Sequence, residues 1–133
     1  MTTVEEGAGS LALDLPADAS TTVGSVRRWL VGVLDGLGED HLYDVQLIVT
    51  ELVSNVYDHA PGPGQLRVAH HTQPCRVSVE VDDSSTALPV RGRSRLGGSR
   101  GRGIVVVESV SVHWGVRPLP EGKTVWAVVD CTG

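Results

Sequence analysis

A chain of 133 residues suits one domain with a real core, and 41% hydrophobic with 20% charged residues is ordinary for a globular protein, although Phe is absent and Val carries much of the apolar load. A formal net charge of -5 argues against a general phosphate-backbone binder, whose affinity rests on clustered Lys and Arg, so no direct nucleic-acid contact is expected. No run approaches the roughly 20 apolar residues that cross a bilayer. The start "MTTVEEGAGS" has no basic region leading into an apolar segment, so a cytoplasmic protein without a membrane partner is expected.

Residues 1–9 are small, polar and acidic and read as a flexible N-terminal segment ahead of a single domain over 10–133. "SLALDLP" alternates Leu11, Leu13 and Leu15 as a strand does. Ala17 to Leu37 has helical apolar spacing at Val23, Val26, Leu30, Val33, Leu34 and Leu37, with Gly38 as its stop. A second helix, capped by Asp40, runs to about Ala60 and ends at "PGPG". "GQLRVAHHT" and "CRVSVEVDD" are two strands of period two joined by a tight "QP" turn. Residues 84–100 have no apolar period and read as a long mobile loop. Gly101 to Val112 is a third helix entered through "GRG", and "SVHWGVRPL" with "KTVWAVVDC" forms a closing hairpin around "PEG". The order β-α-α-β-β-loop-α-β-β predicts an α+β, two-layer sandwich. Its sheet would be mixed but mostly antiparallel, covered on one face by about three helices. Cys75 and Cys131, without CxxC spacing, read as buried thiols rather than a disulfide or metal site. Trp114 and Trp126 read as core; Trp29 packs there too unless it is exposed to a partner.

Three stretches carry chemistry. On the second helix the apolar stripe is Val45, Ile48, Val49, Leu52, Val53 and Val56, and "ELVSNVYDHA" sets Glu51, Asn55 and His59 in a band beside it. That band is either a polar helix edge bonded to itself and water, or a place where Asn offers a neutral oxygen to Mg²⁺ and Glu handles a proton near a phosphate. Asp83 continues the alternation of Val77, Val79 and Val81 to the core side, where a carboxylate needs a donor. The exocyclic amine of adenine would serve, as would a cap of its own turn, while Asp82 faces the other way. Gly101 and Gly103 stand where backbone N–H groups at a helix entrance can meet phosphate, and the arginines between Arg91 and Arg102 put any anion site in the later half.

In this order and spacing the three stretches resemble the GHKL family of ATP-binding domains, whose fold is the Bergerat ATP-binding fold, and within it the anti-sigma-factor serine/threonine kinases. "ELVSNVYDHA" resembles the N box, "VDDSSTALP" the first glycine box and "GRGIVVV" the second, and "GKTVW" resembles the closing strand. The resemblance implies Glu51 as general base and Asn55 as ligand of Mg²⁺. It implies Asp83 as adenine reader, with Ser85, Gly101, Arg102, Gly103, Ile104 and Thr124 as further ATP-binding positions; His59 matches the end of the N box but reads as structural, since a helix-edge imidazole satisfies local hydrogen bonds. It also implies partners: a sigma factor and an anti-sigma-factor antagonist protein phosphorylated on Ser or Thr, with the chain as a homodimer. One departure is plain: the family's DxGxG is Asp83-Ser84-Ser85-Thr86-Ala87 here, without either glycine. The alternative is a regulatory interaction module, nucleotide-binding or nucleotide-free, without phosphotransfer.

Overall fold

The computed structural model describes residues 10–15, 23–59, 63–72, 74–84 and 100–131. The segments 1–9 and 85–99, with the expectations of a flexible start and a mobile loop, lie outside the described residues, as does Ser85. The elements are β1 (Ser10–Leu15), α1 (Val23–Val33), α2 (Glu39–His59), β2 (Gly64–Thr72), β3 (Cys75–Asp83), α3 (Arg100–Val110), β4 (His113–Leu119) and β5 (Gly122–Asp130). They form a five-stranded sheet of order β1-β2-β3-β5-β4 in which every ladder is antiparallel, under three helices. This is the expected α+β architecture, and among the described residues no parallel pair makes the sheet mixed.

Val77, Val79 and Val81 on β3, Leu66 and Val68 on β2, and Val125, Ala127 and Val129 on β5 face the helices and are at most 5% exposed. Against them α2 lays Val45, Ile48, Val49, Leu52, Val53 and Val56, and each such side chain contributes about 1.5–3 kcal/mol when fully buried. The aliphatic core anticipated from composition is therefore what binds helix layer to sheet layer. Trp29 and Trp114 pack against that core from half-buried positions, and Trp29 is accordingly no exposed anchor. Trp126 departs from expectation. It registers with Glu80 on the sheet's other face and lies over Gly115, where an added Cβ would meet its Cζ2 at 2.8 Å.

Helix ends are set by glycines the sequence reading placed two residues off. Past α1 the chain turns at Gly36, whose φ of 96° is the left-handed conformation that ends helices cheaply, and not at Gly38. The Gly38 carbonyl instead accepts the Leu42 N–H at 2.9 Å and opens α2. Glu39 and Asp40 then occupy the first turn, where negative charge suits the helix dipole, so Asp40 is not the cap.

The cysteines correct the reading as buried thiols. Antiparallel pairing of β3 with β5 runs Arg76 against Asp130, so the next rung sets Cys75 opposite Cys131, and the two form a disulfide with Cα atoms 5.0 Å apart. Spacing in the sequence carried no trace of this, because 56 residues separate the pair and only the strand register joins them. Among the described residues no helix is long and apolar enough to cross a membrane.

Candidate functional site

The band beside the α2 stripe is where the 100° rotation per residue puts it. Glu51 and Asn55, one turn apart, are half-buried, while their neighbours Leu52, Val53 and Val56 are fully buried. Arg27 Nε on α1 donates to Thr50 Oγ1 at 3.2 Å and braces the helix next to Glu51. His59 closes α2, and its side chain lies outside the described residues.

Close packing at Gly64 brings the last turns of α2 to the end of β3. A Cβ at Gly64 would collide with the Asp82 carbonyl oxygen and stand 3.5 Å from Val56 Cγ1. Only a residue without a side chain lets β2 start between α2 and β3 there. Asn55 precedes Val56, and Asp83 follows Asp82, so the helix edge and the strand-end acid come to the same end of the molecule.

Asp83 faces the helix layer as its alternation requires and is 8% exposed. A buried carboxylate needs a donor, and the chain supplies one: Lys123, opposite it in the β3–β5 register and 6% exposed, places Nζ 3.1 Å from Oδ1 and 3.0 Å from Oδ2. Sequence reasoning missed Lys123. The signal was present in "GKTVW", but it becomes legible only when the register of β5 against β3 is known.

Thr124, assigned with Asp83 by resemblance, sits across the sheet from it. It registers with Asp82, and its Oγ1 donates to Asp82 Oδ1 at 2.5 Å on the face away from the helices. Asp82 there also takes a bidentate pair from Arg67, Nη1 to Oδ2 at 2.7 Å and Nη2 to Oδ1 at 2.8 Å. Arg67 Nε reaches Glu80 Oε1 at 3.0 Å, and Arg117 Nη2 reaches Glu80 Oε2 at 2.8 Å. Burial by itself would raise the Asp82 carboxyl, but hydrogen bonds from Arg67 and Thr124 outweigh it and hold it below the ordinary carboxylate range. Burial acts the same way on Glu80, and hydrogen bonds from Arg117 and Arg67 bring it below its ordinary value. The Arg67 guanidinium is raised, chiefly by its hydrogen bond to Asp82. Asp82 thus clamps β2, β3 and β5 together directly beside Asp83.

Gly101, Arg102, Gly103 and Ile104 lie within the first turns of α3 rather than ahead of it, and their side chains lie outside the described residues. The first four N–H groups of a helix have no partner within it, so Arg100 to Gly103 present the donors that favour an anion. Behind them Val107 anchors α3 in the core, and the helix packs beside α2.

A half-buried Asn on α2, a buried acid at the end of β3 and a helix entrance whose first N–H groups find no partner within the helix take their meaning from the kind of domain that carries them. Residues 15–129 match the family described as "Histidine kinase-like ATPase domain". The chain belongs to that family. No curated protein matches it significantly. Among solved structures, the histidine kinase domain of the blue-light activated histidine kinase EL346 from Erythrobacter litoralis superimposes with a TM-score of 0.53 at 19% identity. The match covers 87% of this chain and 61% of that one, so this histidine kinase-like ATPase domain corresponds to well under two thirds of its structural neighbour. At that identity the likeness is one of fold.

Members of such a family take ATP, generally with Mg²⁺, and the residues present fit that group. Mg²⁺ commonly binds through one or two protein ligands and the phosphates themselves, so one Asn55 oxygen is an adequate protein share. The α3 entrance provides backbone donors for phosphate oxygens.

Proposed function

We propose that this domain binds Mg²⁺-ATP between α2, the end of β3 and the entrance of α3, and transfers the terminal phosphoryl group to a serine or threonine of an antagonist protein, a sigma factor being released or held according to that exchange. The observation that supports this best is the half-buried pair Glu51 and Asn55 on the edge of α2, within the stretch matched to the ATPase family.

In this reading Glu51 accepts the proton of the attacking hydroxyl, Asn55 orients the cation, Asp83 accepts from the base amine, and the N–H groups of Gly101 to Gly103 hold phosphate oxygens. Mg²⁺, when bound, neutralises charge that develops on the phosphates. Titration calorimetry of ATP with and without Mg²⁺ tests the binding half. The expected result is Mg²⁺-dependent binding that Asn55→Ala removes. Transfer of labelled phosphate to an antagonist protein tests the other half: Glu51→Gln should abolish transfer and leave ATP binding in place, and undiminished transfer by that variant would remove Glu51 from its role as base.

One observation favours the second reading, a regulatory interaction module without phosphotransfer. Asp83 has a donor of its own chain in Lys123, so its burial does not require a nucleotide. If that module is nucleotide-free, millimolar ATP neither binds nor raises stability, whereas any ligand of the native state alone raises it by RT ln(1 + [L]/Kd); if it binds nucleotide, ATP raises stability and Glu51→Gln changes nothing that depends on binding alone.

A further inference from the structure

Three ligand atoms suited to a soft cation meet at the other end of β3. Cys75 opens the strand that Asp83 closes, and eight steps of about 3.3 Å put the two roughly 26 Å apart. Cys131, just past β5, stands on the rung opposite Cys75, and its N–H donates to the Cys75 carbonyl oxygen at 3.1 Å. His70 comes from the neighbouring strand: β2 pairs Thr72 with Cys75 and His70 with Val77, so His70 shares the helix-side face with both cysteines. Its Nε2 lies 3.6 Å from Cys75 Sγ, and the imidazole nitrogen and both sulfurs are all within 4.8 Å of one another. Cys131 is 9% exposed and the other two are half-buried. All three side chains stand on or directly beside paired strands, so the ladder fixes their spacing.

We propose that His70, Cys75 and Cys131 become a site for one thiophilic divalent cation such as Zn²⁺ once the disulfide is reduced, so that this end of the domain exchanges a covalent clasp for a coordinated one. The reduction is thiol–disulfide exchange with a dithiol. The dithiol gives up two electrons and two protons and leaves as its own disulfide, while Cys75 and Cys131 become thiols. Cation binding then expels both thiol protons to solvent and pairs one divalent charge with two thiolates and a neutral imidazole. Bond lengths of about 2.3 Å to sulfur and 2.0–2.1 Å to nitrogen in a tetrahedron require a sulfur–nitrogen edge of about 3.6 Å. The separation of Cys75 Sγ from His70 Nε2 already meets it. Two cysteines and one histidine leave a fourth position for water or an outside ligand. Nothing in this site depends on whether ATP binds at the far end of β3.

The test uses the whole chain, reduced with a phosphine, freed of it without oxygen, and titrated with Co²⁺ and then Zn²⁺. One equivalent of Co²⁺ should produce thiolate charge-transfer absorption in the near ultraviolet and the strong visible bands of tetrahedral cobalt. One equivalent of Zn²⁺ should bleach both, and the oxidised protein should show neither. Cys75→Ser and Cys131→Ser, checked for fold by circular dichroism, should lose the charge-transfer band. His70→Ala leaves both sulfurs in place and should weaken binding on the order of 100-fold, since loss of mere outer-shell partners costs 10–100-fold. No tetrahedral cobalt spectrum from the reduced protein, whether it is folded or not, overturns the proposal. Undiminished affinity in His70→Ala overturns it equally, because two thiols alone would then account for the binding.

Discussion

Replacing Asp83 by asparagine keeps the side chain's size and removes its charge, which isolates the ion pair with Lys123. The two side chains are 6% and 7% exposed, so the Lys123 ammonium, left opposite a neutral amide, can recover little solvation from water. Removing one partner of a buried pair typically costs about 3–5 kcal/mol, most of it the cost of the charge left behind. With a urea slope of about 2 kcal/mol per molar for a small domain, a loss of 4 kcal/mol moves the unfolding midpoint down by about 2 M. Asp83→Asn with Lys123→Met removes both charges of the pair and should recover much of that loss, giving a coupling of about 2–4 kcal/mol in the double-mutant cycle. Urea titrations of the four proteins followed by circular dichroism measure it. A midpoint shift below about 0.5 M for Asp83→Asn, or additive losses in the cycle, would refute a buried pair at this position. The outcome also governs how nucleotide assays are interpreted. Loss of ATP binding in an Asp83 variant says nothing about adenine unless the variant is shown to be folded at the assay temperature.

The face of the sheet away from the helices should carry the acid sensitivity. Because Asp82 and Glu80 are held below their ordinary values, the folded state binds fewer protons than the unfolded one at mildly acid pH; their contribution is complete above the ordinary carboxylate range and is lost as pH falls through the folded values. Arg67→Leu should cost about 1–3 kcal/mol at pH 7, between the values for exposed and buried pairs, and should flatten the dependence of stability on pH below about 5, both measured by urea unfolding. Cys75→Ser with Cys131→Ser opens a loop of 56 residues and should cost about 4 kcal/mol by loop entropy, seen as a lower thermal midpoint than the oxidised protein. Leu52→Ala, deep in the α2 stripe, should cost about 2–5 kcal/mol in the same assay. Gly122→Ala drives a methyl into the Asp83 carbonyl and should destabilise the β3–β5 pairing at that end, with faster amide exchange at the adjoining rungs.

Periodicity located most strands and helices because most elements bury a single face, although β1 buries both Ala12 and Leu15 and β5 both Thr124 and Val125. β2 and β3 match their sequence-read spans residue for residue, while α2 begins at Glu39, two residues ahead of the start an Asp40 cap implies, and Ala60 lies outside the described residues. Asp82 and Asp83 could be assigned to opposite faces for the same reason. What could not be read is everything that depends on register across strands. The partner of Asp83, the placement of Thr124 with Asp82 and the joining of Cys75 to Cys131 all follow from one alignment of β5 on β3. No residue in either strand announces that alignment. The end of α1 escaped for a different reason: Gly36 and Gly38 are both plausible stops by residue type, and only φ distinguishes them.

That register also bears on the stretch Asp83-Ser84-Ser85-Thr86-Ala87, which lacks the glycines of the first glycine box it resembles. A glycine earns its place in such a box by letting another group come close to the backbone beside the acid. Here the close approaches at Asp82 and Asp83 are made by glycines of neighbouring strands. Gly64 at the start of β2 abuts the Asp82 carbonyl, and Gly122 at the start of β5 abuts the Asp83 carbonyl, each at a distance no Cβ would allow. The strand-end acid is therefore gripped from both sides by backbone, with Lys123 next to Gly122 supplying its counter-charge. An acid fixed in this way takes its orientation from contacts within the sheet, so its place at the end of β3 does not depend on glycines after it.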